Sequence, residues 1–337
     1  MTLTLPGFVD GHCHLDKTLW GMPWRPHIAG ATVAERIEAE RAVRGSLPVP
    51  TIERGRALLE QMLSCGTTAL RTHVDIDTAR RLDDLHAILE LREQNRDRVD
   101  MQIVAFPQSG ILRDPGVAEL LDAALNEGAD LVGGLDPLGI DRDLKGHLDV
   151  VFTRAARHGK GVDIHLHDGG ESGLAQIEDI AARTAAHGLG GKVAISHAFA
   201  LGDARPDALR RVADDLARAG VAIMTHAPGA ASMPPVKALR EAGVEVFSGS
   251  DNIRDLWSPY GNGDMLERSR LIGYRQNFRK DEEMLIALDL VTEAGRRATG
   301  LGGGDTVVEV QAETIAEAIA TCPPRLAVRR GASRVVT

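Results

Sequence analysis

The stretch GVDIHLHDGGESGLAQIEDIAARTAAHGLGGKVAISH (161–197) decides the fold. It opens on a short apolar run ending in two histidines, GVDIHLH (161–167). It then passes through Leu174–His187, where good helix formers recur at helical spacing, and closes on a second run ending in histidine, KVAISH (192–197). Strand, helix and strand in that order make one unit of a parallel sheet.

The same unit recurs in both directions along the chain. Earlier runs are FVDGHCH (8–14), TTALRTHV (67–74), MQIVAFPQ (101–108) and DLVGGLD (130–136). Later ones are GVAIMTH (220–226) and VEVFSGSD (244–251). Helical segments separate them, among them Glu53–Ser64, Ala79–Gln94, Val117–Asn126, Leu144–His158, Asp207–Ala219 and Val236–Ala242. Gly66, Gly128, Gly159, Gly220 and Gly243 stand where a left-handed residue closes a helix before the next strand. Eight strand–helix units predict a (β/α)8 TIM barrel. A doubly wound sheet fits less well, because no G-x-G-x-x-G follows the first run. Residues 1–302 are read as the barrel, and 303–337 as a small C-terminal β appendage, with strand-like TVVEV and RLAVRR around a helical AETIAEAIA.

Composition narrows the function classes. With 337 residues and 43% hydrophobic content, the chain is long enough for a large core. Its 39 Lys+Arg against 48 Asp+Glu leave a net charge of -9, a poor match to nucleic acid or an anionic membrane. Three scattered cysteines, Cys13, Cys65 and Cys322, suggest a reducing cytoplasm rather than a disulfide framework. No apolar run approaches the roughly 18 residues of a spanning helix, and MTLTLPGFVDGH does not read as a signal peptide.

The twelve histidines carry the chemistry. His12 and His14 end the first run, His73 the second, His165 and His167 the fifth, His197 the sixth and His226 the seventh; Asp251 ends the eighth. In a parallel barrel these ends share one rim, where barrel enzymes place their sites. A lone H-x-H is usually incidental, and a lone Asp after a strand is often a helix cap. Chance would scatter such residues over both strand ends, so His12, His14, His165, His197 and Asp251 are read as a divalent-metal site. His73 and His226 either line that site or ligate. His27, His86, His147, His158 and His187 fall in helices or loops and are expected to face solvent.

GFVDGHCHLDKT (7–18), TTALRTHVDID (67–77), VAFPQSGIL (104–112), GADLVGGLDP (128–137), VDIHLHDGG (162–170), ISHAFAL (195–201) and SGSDNIRDLWSPYGNGDML (248–266) resemble the amidohydrolase superfamily, cytosine deaminase-like branch. Several of these stretches lean toward members that act on s-triazines. The resemblance spans roughly residues 6–300 and implies a hydrolase of carbon–nitrogen bonds in cyclic amidines. It implies metal ligands at His12, His14, His165 and Asp251, with His197 on the activated water or ligating weakly. Asp251 would also take a proton from that water. Gln108 would hydrogen-bond the amide edge of a ring substrate, and Trp257 would pack on its face. Two departures stand out. Asp168 occupies the place of the branch's proton-donating Glu, so either His167 or Asp168 moves the ring proton. Asn252 follows Asp251 where cytosine deaminase has a second Asp, which argues against cytosine itself. The fourth run ends GGLDP, without the lysine that bridges two metals, so one metal, Zn or Fe, is expected.

Lys17 is read as stabilising a substrate carbonyl or anion, against the plainer reading of a surface lysine. Trp20, Trp24 and Arg25 either cap the ring or form an oligomer contact. The expected reaction is deamination of an aminopyrimidine- or aminotriazine-like ring. The alternatives are release of an alkylamine, opening of a cyclic amide or imide, and a metabolite sensor without turnover. A homo-oligomer is compatible with the branch, and the small β-sandwich of the branch implies that the appendage 303–337 is a reduced β-sandwich.

Overall fold

The computed structural model describes residues 1–27, 30–302, 305–331 and 333–336. Gly303 and Gly304, at the start of the expected appendage, lie outside the described residues, as do Ile28 and Ala29 of the first loop. The strands are β1 Thr2–Pro6, β2 Phe8–Cys13, β3 Thr67–Asp75, β4 Asp100–Phe106, β5 Leu131–Leu135, β6 Gly161–Leu166, β7 Val193–His197, β8 Val221–Thr225, β9 Val246–Ser248, β10 Thr306–Gln311, β11 Arg325–Arg330 and β12 Ser333–Val336.

Strands β2 to β9 form one eight-stranded sheet in sequence order. The β5·β6, β6·β7 and β7·β8 ladders are parallel and in regular register. A parallel bridge between Cys13 and Asp251 sets the segment after β9 beside β2. This is the expected (β/α)8 barrel. Its strands are buried along nearly their whole length, as apolar runs in a sheet covered on both faces must be. Helices end where the glycines foretold: Gly159 and Gly220 close Leu144–His158 and Pro206–Ala219 at φ +65° and +67°.

A smaller antiparallel sheet has the order β1-β10-β11-β12. The tail was expected to supply it alone; in the structure Thr2–Pro6 joins it, with Thr2 opposite Gln311 and Pro6 opposite Val307. Leu5, Val308, Val310 and Val328 form its buried side. Gly66 lies against it, and a methyl group there would meet Val308 at 2.4 Å.

The chain divides into two compact units. The first comprises Met1–Thr72, Ala87–Met101 and Ser248–Thr337, the second His73–His86 and Gln102–Phe247. In the first, Phe8, Leu58, Leu59, Met62 and Leu70 are fully buried. In the second, Phe106, Phe152, Ile164, Ile195 and Phe247 play that part. One helix of the first unit, Val33–Arg44, was not foreseen. It starts on a capping box: Glu35 N–H donates to Thr32 Oγ1, and Glu35 Oε2 accepts from Thr32 N–H, both at 3.2 Å. No helix among the described residues is long and apolar enough to cross a membrane.

Candidate active site

In the first unit, Asp10 and His12 of β2 and His14 just beyond it stand at i, i+2 and i+4, so they share one strand face. His12 Nε2 and His14 Nε2 each lie 3.4 Å from the same atom, Asp251 Oδ1. Backbone contacts fix this triangle. Asp251 N–H donates to His12 O at 2.8 Å, and the preceding Ser250 gives Asp10 both its N–H, at 2.9 Å, and its hydroxyl. Arg268 donates to Ser250 O from the other side at 2.8 Å. Gly249 permits the approach, since a methyl group there would fall 2.4 Å from both His12 N and His12 O. Asp251 itself is left-handed at φ +60°, a strained conformation for a residue with a side chain.

Burial sets the charge states here. It pushes the Asp10 carboxyl up despite the Ser250 hydrogen bonds, and pushes Arg268 down. Burial also pushes the His14 imidazole down to about 3, with the bond to Asp251 opposing it. His14 is therefore neutral at physiological pH, the form that ligates a metal. A tetrahedral cation with bonds of about 2.0–2.1 Å holds its ligands ~3.3 Å apart, close to the spacing found. Two imidazoles and a carboxylate oxygen thus fit a divalent cation.

The loops above this triangle are tied together. Thr18 Oγ1 donates to Ile253 O at 2.9 Å, and Leu19 N–H to Arg254 O at 2.6 Å. The Arg254 guanidinium lies 5.2 Å from the Trp20 ring and 5.9 Å from that of Trp24, which is largely exposed. Lys17, read as exposed in its plainer alternative, is buried; its Nζ stands 3.6 Å from Glu40 and 5.4 Å from the Trp257 ring centroid.

In the second unit, β6 and β7 bring histidine rings together. His165 stacks on Phe106 at 4.1 Å, meets His73 edge-on at 4.5 Å and lies 5.0 Å from His197. His167 stacks on His197 at 4.4 Å. His197 Nδ1 and His226 Nδ1 are 3.0 Å apart, one donating and one accepting. Asp163, also on β6, takes the Ser196 hydroxyl at 2.7 Å and faces His73 Nε2 at 3.8 Å. His197 is left-handed at φ +72°.

Asp136, at the end of β5, was not singled out from the sequence. It accepts His167 Nδ1–H at 2.8 Å and the His167 N–H at 2.5 Å. An ionised carboxylate only accepts, so Nδ1 carries the proton and Nε2 keeps the lone pair. Asp168 is turned elsewhere: its Oδ2 accepts from Gly139 N–H and the Gln176 amide, both at 2.9 Å. Gln108 is buried just past β4, its N–H on Phe106 O at 3.0 Å. His147 corrects the reading of the remaining histidines. It is fully buried, with Nδ1 2.7 Å from Asp141, a carboxylate that also accepts the Ile111 and Arg113 N–H groups.

The sequence profile of the Amidohydrolase family matches residues 2–305. The chain belongs to the amidohydrolase family. These enzymes are hydrolases of carbon–nitrogen bonds. This amidohydrolase is 33% identical over 307 residues to N-isopropylammelide isopropyl amidohydrolase of Pseudomonas sp. (strain ADP), covering 89% of this chain and 75% of that one. Its structure resembles N-isopropylammelide isopropylaminohydrolase from Burkholderia multivorans, with a TM-score of 0.94 and 45% identity over 99% of this chain and 86% of the other. It also resembles 5-methylcytosine deaminase from Klebsiella pneumoniae, with a TM-score of 0.87 and 26% identity over 99% and 87%. Besides Asp136, the residues Asp10, Asp163 and Glu40 of this amidohydrolase escaped the sequence reading. Asp10 and Asp163 each stand two residues before an H-x-H, so D-x-H-x-H was the available signal. Glu40 follows the T-x-x-E box that marks its helix.

Proposed function

We propose that this amidohydrolase hydrolyses an exocyclic C–N bond of a small N-heterocycle, an aminopyrimidine or aminotriazine, with one Zn or Fe ion. The observation that carries the reading is the pair of imidazoles meeting one Asp251 oxygen at 3.4 Å. His12, His14, His165 and Asp251 are assigned to the metal, and His197 to the activated water. Strand ends of one parallel barrel share a rim, which supports assigning ligands from β2, β6 and the segment after β9 to one ion. When bound, the cation supplies Lewis acidity and makes water nucleophilic near neutral pH.

The remaining chemistry belongs to side chains. Asp251 accepts a proton from the attacking water and passes it to the departing amine. His167, oriented by Asp136, takes up a solvent proton on Nε2, gives it to a ring nitrogen as charge builds there, and takes it back on collapse. Asp168 supports that loop through Gln176 and Gly139. Gln108, Lys17, Trp257 and His73 are assigned to the ring. The three cysteines, all free thiols, support a cytoplasmic location.

A second reading, release of an alkylamine, is favoured by the 45% identity to N-isopropylammelide isopropylaminohydrolase. The test is a panel of aminopyrimidines, aminotriazines and N-alkylaminotriazines, assayed for ammonia and alkylamine with wild type and His12→Ala. Wild type is expected to bind one equivalent of metal and release one of the two products; His12→Ala is expected to lose both. A His12→Ala protein without metal but fully active would overturn the metal-dependent reading.

A further inference from the structure

The first unit holds a buried charge pair that the proposed reaction does not consume. Glu40, on the helix Val33–Arg44, is 2% exposed. Its Oε2 accepts the Trp257 indole N–H at 2.6 Å and faces Lys17 Nζ at 3.6 Å. The Lys17 ammonium in turn lies 5.4 Å from the Trp257 ring centroid. One carboxylate therefore fixes both an ammonium and an aromatic face. Lys17 follows His14 by three residues and its charge reaches that imidazole; Trp257 follows Asp251 by six.

A buried ion pair is weak support for stability, because desolvation offsets its attraction and apolar residues of like size pack as well. Here the shared Oε2 gives the pair a geometric task. Trp257 is held from two sides, its backbone N–H going to Asp255 at 2.8 Å. Asp255 is itself buried, and burial with the Glu40 charge nearby pushes it up to about 7. Of these two carboxyl groups, Glu40 is the one that stands 3.6 Å from Lys17 Nζ.

We propose that Glu40 is a positioning and specificity-determining residue: it sets Lys17 and Trp257 as one wall for the ring and offsets the ammonium charge, so that the pocket selects a neutral lactam-type heterocycle over its ring-deprotonated anion. This rests on the assignment of Lys17 and Trp257 to the substrate ring. A Lys ammonium without a carboxylate at 3.6 Å presents a full charge and draws anions. With Glu40 in place it acts toward the ring oxygen mainly as a hydrogen-bond donor.

Calorimetry on the metal-replete protein tests this with two rings, neutral uracil and anionic barbiturate, at one neutral pH. Glu40→Gln keeps an oxygen for the indole but removes the charge. It is expected to raise the barbiturate-to-uracil affinity ratio about tenfold. Lys17→Met is expected to flatten that ratio, and Glu40→Gln added to Lys17→Met to change it no further. In a Trp20→Phe/Trp24→Phe background, Trp257 emission should be unchanged by Glu40→Gln and shifted to the red by Glu40→Ala. Glu40→Asp, which keeps the charge, is expected to preserve the ratio and serves if Glu40→Gln fails to fold. An equal effect on both rings, an effect that persists without Lys17, or a wild type that binds neither ring would overturn the proposal. Failure of the catalytic reading is separately visible as no ammonia or alkylamine from any compound of the panel.

Discussion

Strands β2 and β6 carry the same pattern, D-x-H-x-H, as Asp10-x-His12-x-His14 and Asp163-x-His165-x-His167. In both, the leading carboxylate reaches a serine on the adjacent segment, Ser250 for Asp10 and Ser196 for Asp163. In both, the residue after that serine, Asp251 or His197, is left-handed. The difference lies in what is held. Beside β2, backbone hydrogen bonds and a glycine bring two imidazoles onto one carboxylate oxygen. Beside β6 lies a stack of rings whose outer member, His167, is oriented by Asp136, which takes both its Nδ1–H and its backbone N–H. Under the proposed function, the β2 copy serves ion binding where the backbone is pinned, and His167 of the β6 copy serves proton movement where a ring's tautomer is set.

Exchanging the two tasks is the sharpest way to break this contrast. Asp251→Ala and His167→Ala should each lower kcat by about 10⁴-fold. Only Asp251→Ala should release the metal, read by elemental analysis; metal loss in both variants would erase the distinction.

A pH series probes the β2 side next. The folded Asp255 keeps its proton up to about 7, against an ordinary value near 3.8. A raised carboxyl contributes stability that is fully present below about pH 4 and is lost as pH rises through about 7, by up to about 4 kcal/mol. Asp255→Asn should remove that slope in chemical denaturation between those limits. An unchanged slope would place the titration elsewhere.

On the β6 side, Asp136→Asn should lower kcat by about 10²-fold with metal content intact, as expected for a partner that orients rather than reacts. Equal effects on kcat and metal content would merge the two sides. The serines give the smallest contrast. Ser250→Ala keeps the Ser250 N–H bond to Asp10, whereas Ser196→Ala removes the hydroxyl that Asp163 accepts. Ser196→Ala should therefore cost about 1–3 kcal/mol in stability and Ser250→Ala less, measured side by side in denaturant.

The barrel was legible because most of its units repeat one cue, an apolar run with a helix closed by glycine before it. The strand-end histidines were legible for the same reason: position along a strand fixes which end a residue occupies. What escaped was set by partners distant in the chain. Asp136 lies in G-G-L-D-P, read for the lysine it lacks, and its value appears only when His167 arrives 31 residues later. Glu40 depends on Lys17 and on Trp257, 217 residues away. His147 shares the buried face of Leu144–His158 with Leu148, Val151, Phe152 and Ala155, and its ring is met there by Asp141 from the preceding loop. Strand β1 was invisible because its pairing partner, β10, stands some three hundred residues downstream.

That last pairing has a consequence for synthesis. Residues Thr2–Pro6 are hydrogen-bonded to Thr306–Gln311, and Val9 N–H donates to Val291 O at 2.8 Å. The segment bearing His12 therefore acquires its outer neighbours only once synthesis has passed Gln311. Contacts so remote in order close late and slowly. Nascent chains stalled before Thr306 should leave Phe8–Cys13 open to protease, while the middle of the molecule is already protected.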